Sequence, residues 1–228
     1  KDNTKFVNVL EASHPIPDKN GLKATNKIIK IAKSASEKDL VIFLISGGAS
    51  ALLFSAVQGI SFQQKIYIND MLLKSGAPII EMNIVRQSIS AIKGGRLSKL
   101  IKPAKLITYA ISDIPGDDPK FVGSGPTINS NVKEDQAIEI IKKYNIDVSE
   151  EILNIIKNNK FPKIEPTPFY FISTPMMALR AAEAEAYRKK FYPIILTDRL
   201  EGEASIEGEK MANLAIKVKK EKKYKNFL

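Results

Sequence analysis

Short apolar runs divide this chain into segments of strand length. Runs rich in β-branched and aromatic residues predict strands at 6–10, 41–45, 105–111, 169–172 and 192–197, with a further strand beginning at 224–228. The run at 41–45 is apolar without alternation, which is typical of a strand covered on both faces of a parallel sheet.

Stretches of helical periodicity lie between these runs. They predict helices at about 21–36, 61–74, 79–90, 134–144, 150–158, 176–190 and from 203 to about 220. Ser61 and Gln64 have the spacing of a capping box at the start of the second helix. Strands that alternate with helices predict an α/β fold: a doubly wound, mostly parallel, Rossmann-like sheet with helices on both faces. Ligands of such folds bind beyond the carboxyl ends of the strands.

Composition narrows the class of protein. The 228 residues are 44% hydrophobic, and this length fits one large α/β domain or one and a half ordinary domains. The sequence contains no cysteine, which excludes disulfides, thiolate metal sites and a cysteine nucleophile. No apolar run is long enough to cross a bilayer, and the N-terminus lacks a signal-peptide pattern. We therefore expect a cytoplasmic protein without a membrane partner.

The net charge of +10 raises the question of nucleic acid. The lysines, however, are spread along the chain without interleaved aromatic residues, and the dense run at 217–223 continues a helical pattern. No nucleic-acid partner is expected. A basic surface favours a small acidic substrate or a nucleotide instead.

A glycine turn follows the central strand. It contains Ser46, Gly47, Gly48 and Ser50, and exposed backbone N–H groups at the start of a helix predict an anion site there. The alternative is a plain strand-to-helix connection capped by Ser50. The turn matches neither a Walker sequence nor a G-x-G-x-x-G dinucleotide turn.

A second cluster follows the strand at 105–111. Asp113, Asp117 and Asp118 lie within six residues, and such carboxylates repel one another unless a cation neutralises them. We predict them as Mg²⁺ ligands, with Asp113 foremost because it is nearest to the strand end. The alternative is that Asp117 and Asp118 only form a turn. Ser124 and Gly125 lie in another rigid loop, which we predict to bind phosphate or substrate.

Basic residues occur near these loops in the sequence. Arg86 and Lys93 are candidate catalytic cations, and Arg96 follows the pair Gly94 and Gly95, which indicates a hinge or a close backbone approach. Solvated helix residues are the alternative for Arg86 and Lys93.

Two further polar residues, Glu81 and Asn83, share neighbouring helix faces with Arg86 and are predicted to orient a substrate. His14, the only histidine, is either a catalytic base or a loop residue that forms hydrogen bonds. Backbone donors, carboxylates and cations at strand ends are together the components of phosphoryl transfer, with ATP and Mg²⁺ as the expected cofactors.

Several motifs in one order resemble a known family. They are the segments 13–18, 44–53, 81–86, 90–97, 112–119, 124–127 and 201–204. In these segments the chain resembles the two-domain glycerate kinases whose C-terminal half is called the MOFRL domain. The resemblance implies ATP-dependent, Mg²⁺-assisted phosphorylation of D-glycerate, at the 2-hydroxyl, to give 2-phosphoglycerate, and it also suggests a homodimer.

The resemblance also leads to expectations about domain boundaries, and this chain differs from the family pattern at one position. It implies that 1–228 is one α/β domain truncated at both ends, and that a smaller α/β MOFRL domain and an upstream catalytic lysine are absent from this chain. Ala49 stands where the family pattern has a third glycine. A general base is not assigned. The rival hypotheses are a hydroxypyruvate reductase and a non-catalytic protein that binds small anions.

Overall fold

The computed structural model describes residues 5–133 and 135–221. Within them, three parallel strands form one sheet in the order β1 (Leu40–Ile45), β2 (Lys105–Ile111) and β3 (Phe169–Ser173). The helices are α1 (Lys19–Ser34), α2 (Ala49–Leu52), α3 (Phe62–Lys74), α4 (Ile79–Ser88), α5 (Arg96–Ile101), α6 (Gln136–Lys143), α7 (Glu150–Asn158), α8 (Pro175–Arg188) and α9 (Ala204–Glu221). The predicted parallel α/β architecture is confirmed.

The strand register places the loops that follow β1, β2 and β3 at one edge of the sheet. Leu40 is opposite Lys105, and the pairing continues to Ile45 opposite Ala110. Strand β3 starts opposite Thr108 and pairs in parallel with β2. Because the strands are parallel and in this register, the turns that follow β1, β2 and β3 leave the sheet on the same side.

One face of the sheet packs against α1 and α5. The buried side chains of this core are Ala32, Leu53, Ile92, Leu97, Ile101, Ala104 and Leu106. Helix α1 begins where Asp18 accepts a hydrogen bond from the Gly21 backbone N–H at 2.8 Å. This N-cap fixes the start of α1 and the direction from which the proline-containing segment 14–17 enters the fold.

A separate helical core lies beside the sheet. Helices α3, α4, α6 and α7 surround buried side chains that include Ile68, Leu72, Val85, Ile89 and Ile141. The predicted capping box at the start of α3 is present: the Ser61 hydroxyl accepts from the Gln64 N–H, and the Gln64 side chain accepts from the Ser61 N–H. Helices α3 and α4 therefore present fixed faces toward the glycine turn.

The opposite face of the sheet differs from the expectation for a continuously apolar strand. Leu40, Ile42 and Leu44 are 54–69% exposed, and Tyr170 and Ile172 on β3 are also exposed. Strand β1 is therefore covered on one face, where Val41 and Phe43 pack against the core. An uninterrupted apolar run does not show which of the two strand faces packs against other residues of the described chain.

Two predicted strands are wrong. Residues 6–10 and 192–197 are not in strands, and neither pairs with the sheet in the described chain. Both have the composition of strands, but composition alone does not determine whether a segment pairs, and Pro193 also lacks the N–H that a ladder needs. The strand predicted at 224–228 lies outside the described residues. None of the described helices is long and apolar enough to cross a membrane.

Candidate functional site

The glycine turn connects β1 to α2 through a left-handed residue. Gly48 has φ 79° and precedes the first residue of α2, so a side chain at this position would strain the backbone. Ala49 lies inside the helix without a positive φ. An alanine in place of the family's third glycine therefore does not require strained backbone geometry.

The carboxylate loop after β2 meets the glycine turn directly. A β-carbon added to Gly47 would overlap the Asp113 carboxylate, so glycine is what permits this approach. On the other side of the loop, Arg199 lies 3.6 Å from the position of a β-carbon on Gly116. Loops from three separate parts of the sequence therefore converge at the carboxyl edge of the sheet.

His14 lies on the other side of the turn. Its Nε2 atom is 3.1 Å from the position that a β-carbon on Gly48 would occupy. The imidazole also lines a cavity together with Ser50, Arg86 and Lys93. The structure thus places the only histidine of the chain beside the glycine turn, whereas the sequence allowed either a catalytic base or a loop residue that forms hydrogen bonds.

Lys93 is buried at the cavity wall. Its Nζ donates a hydrogen bond to the Ser50 carbonyl at 3.1 Å, and its backbone N–H is held by the Ser90 hydroxyl. Burial first, and the nearby positive charge of Arg86 second, lower the pKa of Lys93 from 10.5 to about 7. A negatively charged ligand in the cavity would stabilise the ammonium form.

Ser124 connects the loops. Its hydroxyl donates to Asn83 Oδ1 at 2.7 Å and lies 3.0 Å from the Ser50 hydroxyl, while its carbonyl accepts from the Gly94 N–H. The residue is fully buried and has φ 63°, a conformation uncommon outside glycine. The structure places Ser124 and Asn83, which the sequence predicted to bind substrate, where they hold Ser50 and Gly94 in position.

The second glycine pair serves a close backbone approach. Gly95 has φ 82°, and its N–H donates to the Gly125 carbonyl at 2.9 Å. A β-carbon on Gly94 would lie 2.5 Å from the ring of Phe161. Gly94, Gly95 and Gly125 therefore pack the loop that carries Lys93 against the loop that carries Ser124.

The cavity has a volume of about 570 Å³, and its lining includes a second cationic side chain besides Lys93. Arg86 lines it, and its Nε donates to Asn69 Oδ1 at 3.3 Å. Burial lowers the pKa of Arg86, but an arginine remains charged at neutral pH. Arg86 and Lys93 make this end of the cavity basic.

Arg96 and Glu81 are among the predicted site residues that lie outside the cavity lining. Arg96 donates to the carbonyls of Gln87, Lys93 and Asn159 and stacks 4.2 Å from the Phe161 ring centroid. Burial lowers its pKa to about 10. Glu81 forms a 2.8 Å ion pair with Lys143, which lowers the pKa of that carboxyl. Both residues use their charges to hold neighbouring segments.

The three carboxylates differ in their surroundings. Asp113 is exposed beside Gly47, whereas the Asp118 carboxylate accepts a hydrogen bond from the Lys120 N–H. Asp117 Oδ1 is buried and has no hydrogen-bond partner among the described residues. Across the part of the chain that the structure describes, no three acidic or histidine side chains form a metal cluster. One or two of these carboxylates still fit the few protein ligands that Mg²⁺ takes beside a phosphate.

Sequence reasoning missed Lys65. Its ammonium is fully buried, donates to the Ser55 carbonyl at 2.6 Å and lies 4.5 Å from the Phe54 ring centroid. Burial and the nearby cations Lys93 and Arg96 lower its pKa well below 10.5. The signal was present, because Lys65, Ile68 and Leu72 share the buried face of one helix.

Comparison with known proteins gives a consistent set of relatives. The family model described as "Domain of unknown function (DUF4147)" matches residues 1–157. A protein named "Putative hydroxypyruvate reductase" from Agrobacterium vitis is 43% identical over 92% of this chain and 49% of its own length. A protein named D-glycerate 2-kinase from Thermotoga maritima is 32% identical over 92% of this chain and 51% of its own length.

Solved structures show the same relationship. The crystal structure of a glycerate kinase from Thermotoga maritima matches with a TM-score of 0.85 and 30% sequence identity. The match covers 98% of this chain and 54% of that one. The chain therefore spans about half the length of the relatives that it matches.

Proposed function

This chain belongs to the DUF4147 family, and from that membership together with the geometry of the site we propose that it forms part of a glycerate 2-kinase. The proposed reaction is ATP-dependent, Mg²⁺-assisted transfer of a phosphoryl group to the 2-hydroxyl of D-glycerate, with 2-phosphoglycerate and ADP as products. Relatives named glycerate 2-kinase and a solved glycerate kinase support the substrate class.

One observation carries the proposal. The glycine turn, the Asp113 loop and the Lys93 loop meet at the carboxyl edge of a parallel sheet, through the contact of Gly47 with Asp113 and the hydrogen bond from Lys93 to Ser50. This edge is where α/β proteins bind their ligands. Backbone donors, a carboxylate and buried cations at one edge match what a transferring phosphoryl group requires.

The cations would manage the charge of the phosphates. Arg86 is charged, and Lys93 with its pKa of about 7 gains a proton when a phosphate approaches, because an anion favours the ammonium form. In a buried cavity these charges act more strongly than they would in water. Ser124 and Asn83 would keep the Ser50 carbonyl in place, so that the Lys93 ammonium stays aimed at the cavity.

Asp113, with Asp117, would hold Mg²⁺ beside the glycine turn. When bound, the ion supplies positive charge that offsets the charge of the phosphate oxygens. His14 Nε2 lies on the other side of the turn, where an imidazole can accept the proton that the substrate hydroxyl loses. Gly47 and Gly48 therefore separate a carboxylate from a base by the width of one turn.

The proposal is tested by product analysis. The protein that carries this chain is incubated with D-glycerate, ATP and Mg²⁺, and phosphorus NMR distinguishes 2-phosphoglycerate from 3-phosphoglycerate. We expect 2-phosphoglycerate to accumulate with an equal amount of ADP. Absence of any phosphoglycerate above a control without protein would refute the kinase activity, and 3-phosphoglycerate would refute the position.

A second candidate comes from the name of one relative. Reduction of hydroxypyruvate would need a nicotinamide site, yet none of the three turns after β1, β2 and β3 has the G-x-G-x-x-G pattern. The discriminating assay follows NADH and NADPH oxidation on addition of hydroxypyruvate. Oxidation that depends on the protein would support the reductase.

A further inference from the structure

The cavity beside the glycine turn is much larger than D-glycerate needs. A three-carbon hydroxy acid would fill only a small part of its 570 Å³, which lies in the range of about 300–1,000 Å³ typical of pockets for larger ligands. The volume therefore indicates an additional occupant.

The lining of the cavity divides into two chemically different ends. The basic end, with Arg86, Lys93 and Ser50, lies at the glycine turn. The other end is formed by the segment 15–17, which contains two prolines and an isoleucine, and by one face of α3. A ligand that fills the cavity therefore meets cationic groups and apolar surface.

The α3 face is built as a lining rather than as core. Ile66, Tyr67 and Leu73 recur at helical spacing, and they line the cavity while Ile68 and Leu72 on the opposite side of the helix are fully buried. Tyr67 is 41% and Leu73 is 59% exposed. Exposed apolar residues grouped at a cavity are typical of a ligand site.

Polar side chains complete the apolar end. Gln63, Asn69 and Asp70 of α3 also line the cavity. Asn69 Oδ1 accepts from Arg86, and Asp70 pairs with Lys74. Gln63 is therefore the amide group that can both donate to and accept from the edge of a heterocycle. A tyrosine ring and a proline-rich segment provide flat apolar surfaces on which an aromatic base can stack. These features match a purine base more closely than a lipid chain or a sugar.

We propose that the apolar end of this cavity, between residues 15–17 and Tyr67 of α3, binds the purine base of a nucleotide whose phosphates reach Arg86 and Lys93. This inference rests on the proposed function only in taking a nucleoside triphosphate as the phosphoryl donor. It assigns α3 to nucleotide binding and leaves the glycine turn for the group that is transferred.

The absence of tryptophan from the chain makes a direct test simple. Tyr67→Trp introduces a single indole into the cavity, and Tyr187→Trp introduces a matched one on α8 at an exposed position outside the cavity lining. Adenosine and Mg²⁺–ADP should change the emission of the Tyr67→Trp protein saturably and leave the Tyr187→Trp protein unchanged. A response to D-glycerate or inorganic phosphate but not to adenosine would overturn the assignment.

Kinetics provide a second readout. Tyr67→Ala should raise the KM for ATP at least tenfold with little change in the KM for D-glycerate. Tyr67→Phe should keep the KM for ATP near that of the unmodified protein, because the ring remains. An unchanged KM for ATP in Tyr67→Ala would refute the subsite while the kinase activity stands. If no phosphoglycerate forms but adenosine changes the emission, the kinase proposal fails and the subsite survives.

Discussion

Lys93 combines a cost in stability with a role in binding. Below pH 7 its ammonium is charged in both the folded and the unfolded protein, so folding bears the full cost of burying it. Between pH 7 and 10.5 the folded protein holds the neutral amine while the unfolded chain holds the charged form, so stability rises with pH. Above 10.5 the cost disappears. A buried charge that costs stability is typical of a functional site.

Replacement of this lysine by methionine should therefore stabilise the protein. We expect Lys93→Met to raise the free energy of unfolding by about 1–3 kcal/mol at pH 7, with the gain partly offset by the unpaired Ser50 carbonyl. The gain should shrink as the pH approaches 10.5. Urea denaturation at pH 7 and pH 9.5 measures this, and a gain that stays constant or grows with pH would contradict the lowered pKa.

Gly47 is required for the approach of Asp113 rather than for a special backbone conformation. Its φ is not in the positive range, so Gly47→Ala should fold with a stability change below about 1 kcal/mol, while the added methyl group displaces the flexible Asp113 carboxylate. We expect the Mg²⁺ concentration for half-maximal activity to rise at least ~10-fold.

Gly208→Ala is the matched control for this prediction. Gly208 lies in α9 with no atom near the added methyl group, and the change should add about 1 kcal/mol through helix propensity alone. An unaltered Mg²⁺ requirement in Gly47→Ala would remove Asp113 from the proposed metal site.

At the scale of elements, helix α3 contributes one face to the hydrophobic core and another to the cavity. One face buries Lys65, Ile68 and Leu72, and the other lines the cavity with Tyr67. The capping box of Ser61 and Gln64 sets where the first turn begins and so fixes both faces at once. The rotation of this helix therefore determines whether the apolar end of the cavity exists.

Loss of the cap should weaken folding without removing the site. Ser61→Ala should lower the free energy of unfolding by about 1 kcal/mol, because the Gln64 backbone N–H loses the hydroxyl that accepts its hydrogen bond at the helix start. Ser34→Ala, whose hydroxyl only donates to a carbonyl at the end of α1, should change it by less. Equal losses in the two variants by urea denaturation would show that the cap contributes nothing specific.

At the scale of the whole molecule, the site depends on loops from separate parts of the chain. The sequence predicted the glycine turn and the Asp113 loop at strand ends, with Lys93 as a nearby cation. The register of β1 with β2 accounts for the proximity of the two turns, and the hydrogen bond from Lys93 to the Ser50 carbonyl joins the Lys93 loop to them. The exposed face with Leu40, Ile42 and Leu44 is an apolar surface open to a partner. The homodimer stays a prediction.

The sequence could not show which way a side chain turns or which segments pair as strands. Periodicity located the helices to within a few residues, because apolar spacing depends only on local geometry. It could not show that Arg96 reaches the Asn159 carbonyl or that Glu81 pairs with Lys143, because these contacts join residues 63 and 62 positions apart in the chain. Residues 192–197 likewise have the composition of a strand, but composition alone does not show whether a segment pairs with the sheet.

The most direct test of a phosphoryl-transfer site at this edge compares two lysines in one stretch of the chain. Lys93 is buried at the cavity and Lys99 is exposed on α5. The measurement is kcat/KM for phosphorylation of D-glycerate by ATP in Lys93→Met and Lys99→Met. We predict a decrease of about 10²–10³-fold for Lys93→Met and less than about 2-fold for Lys99→Met. Equal activities in the two variants would contradict the account.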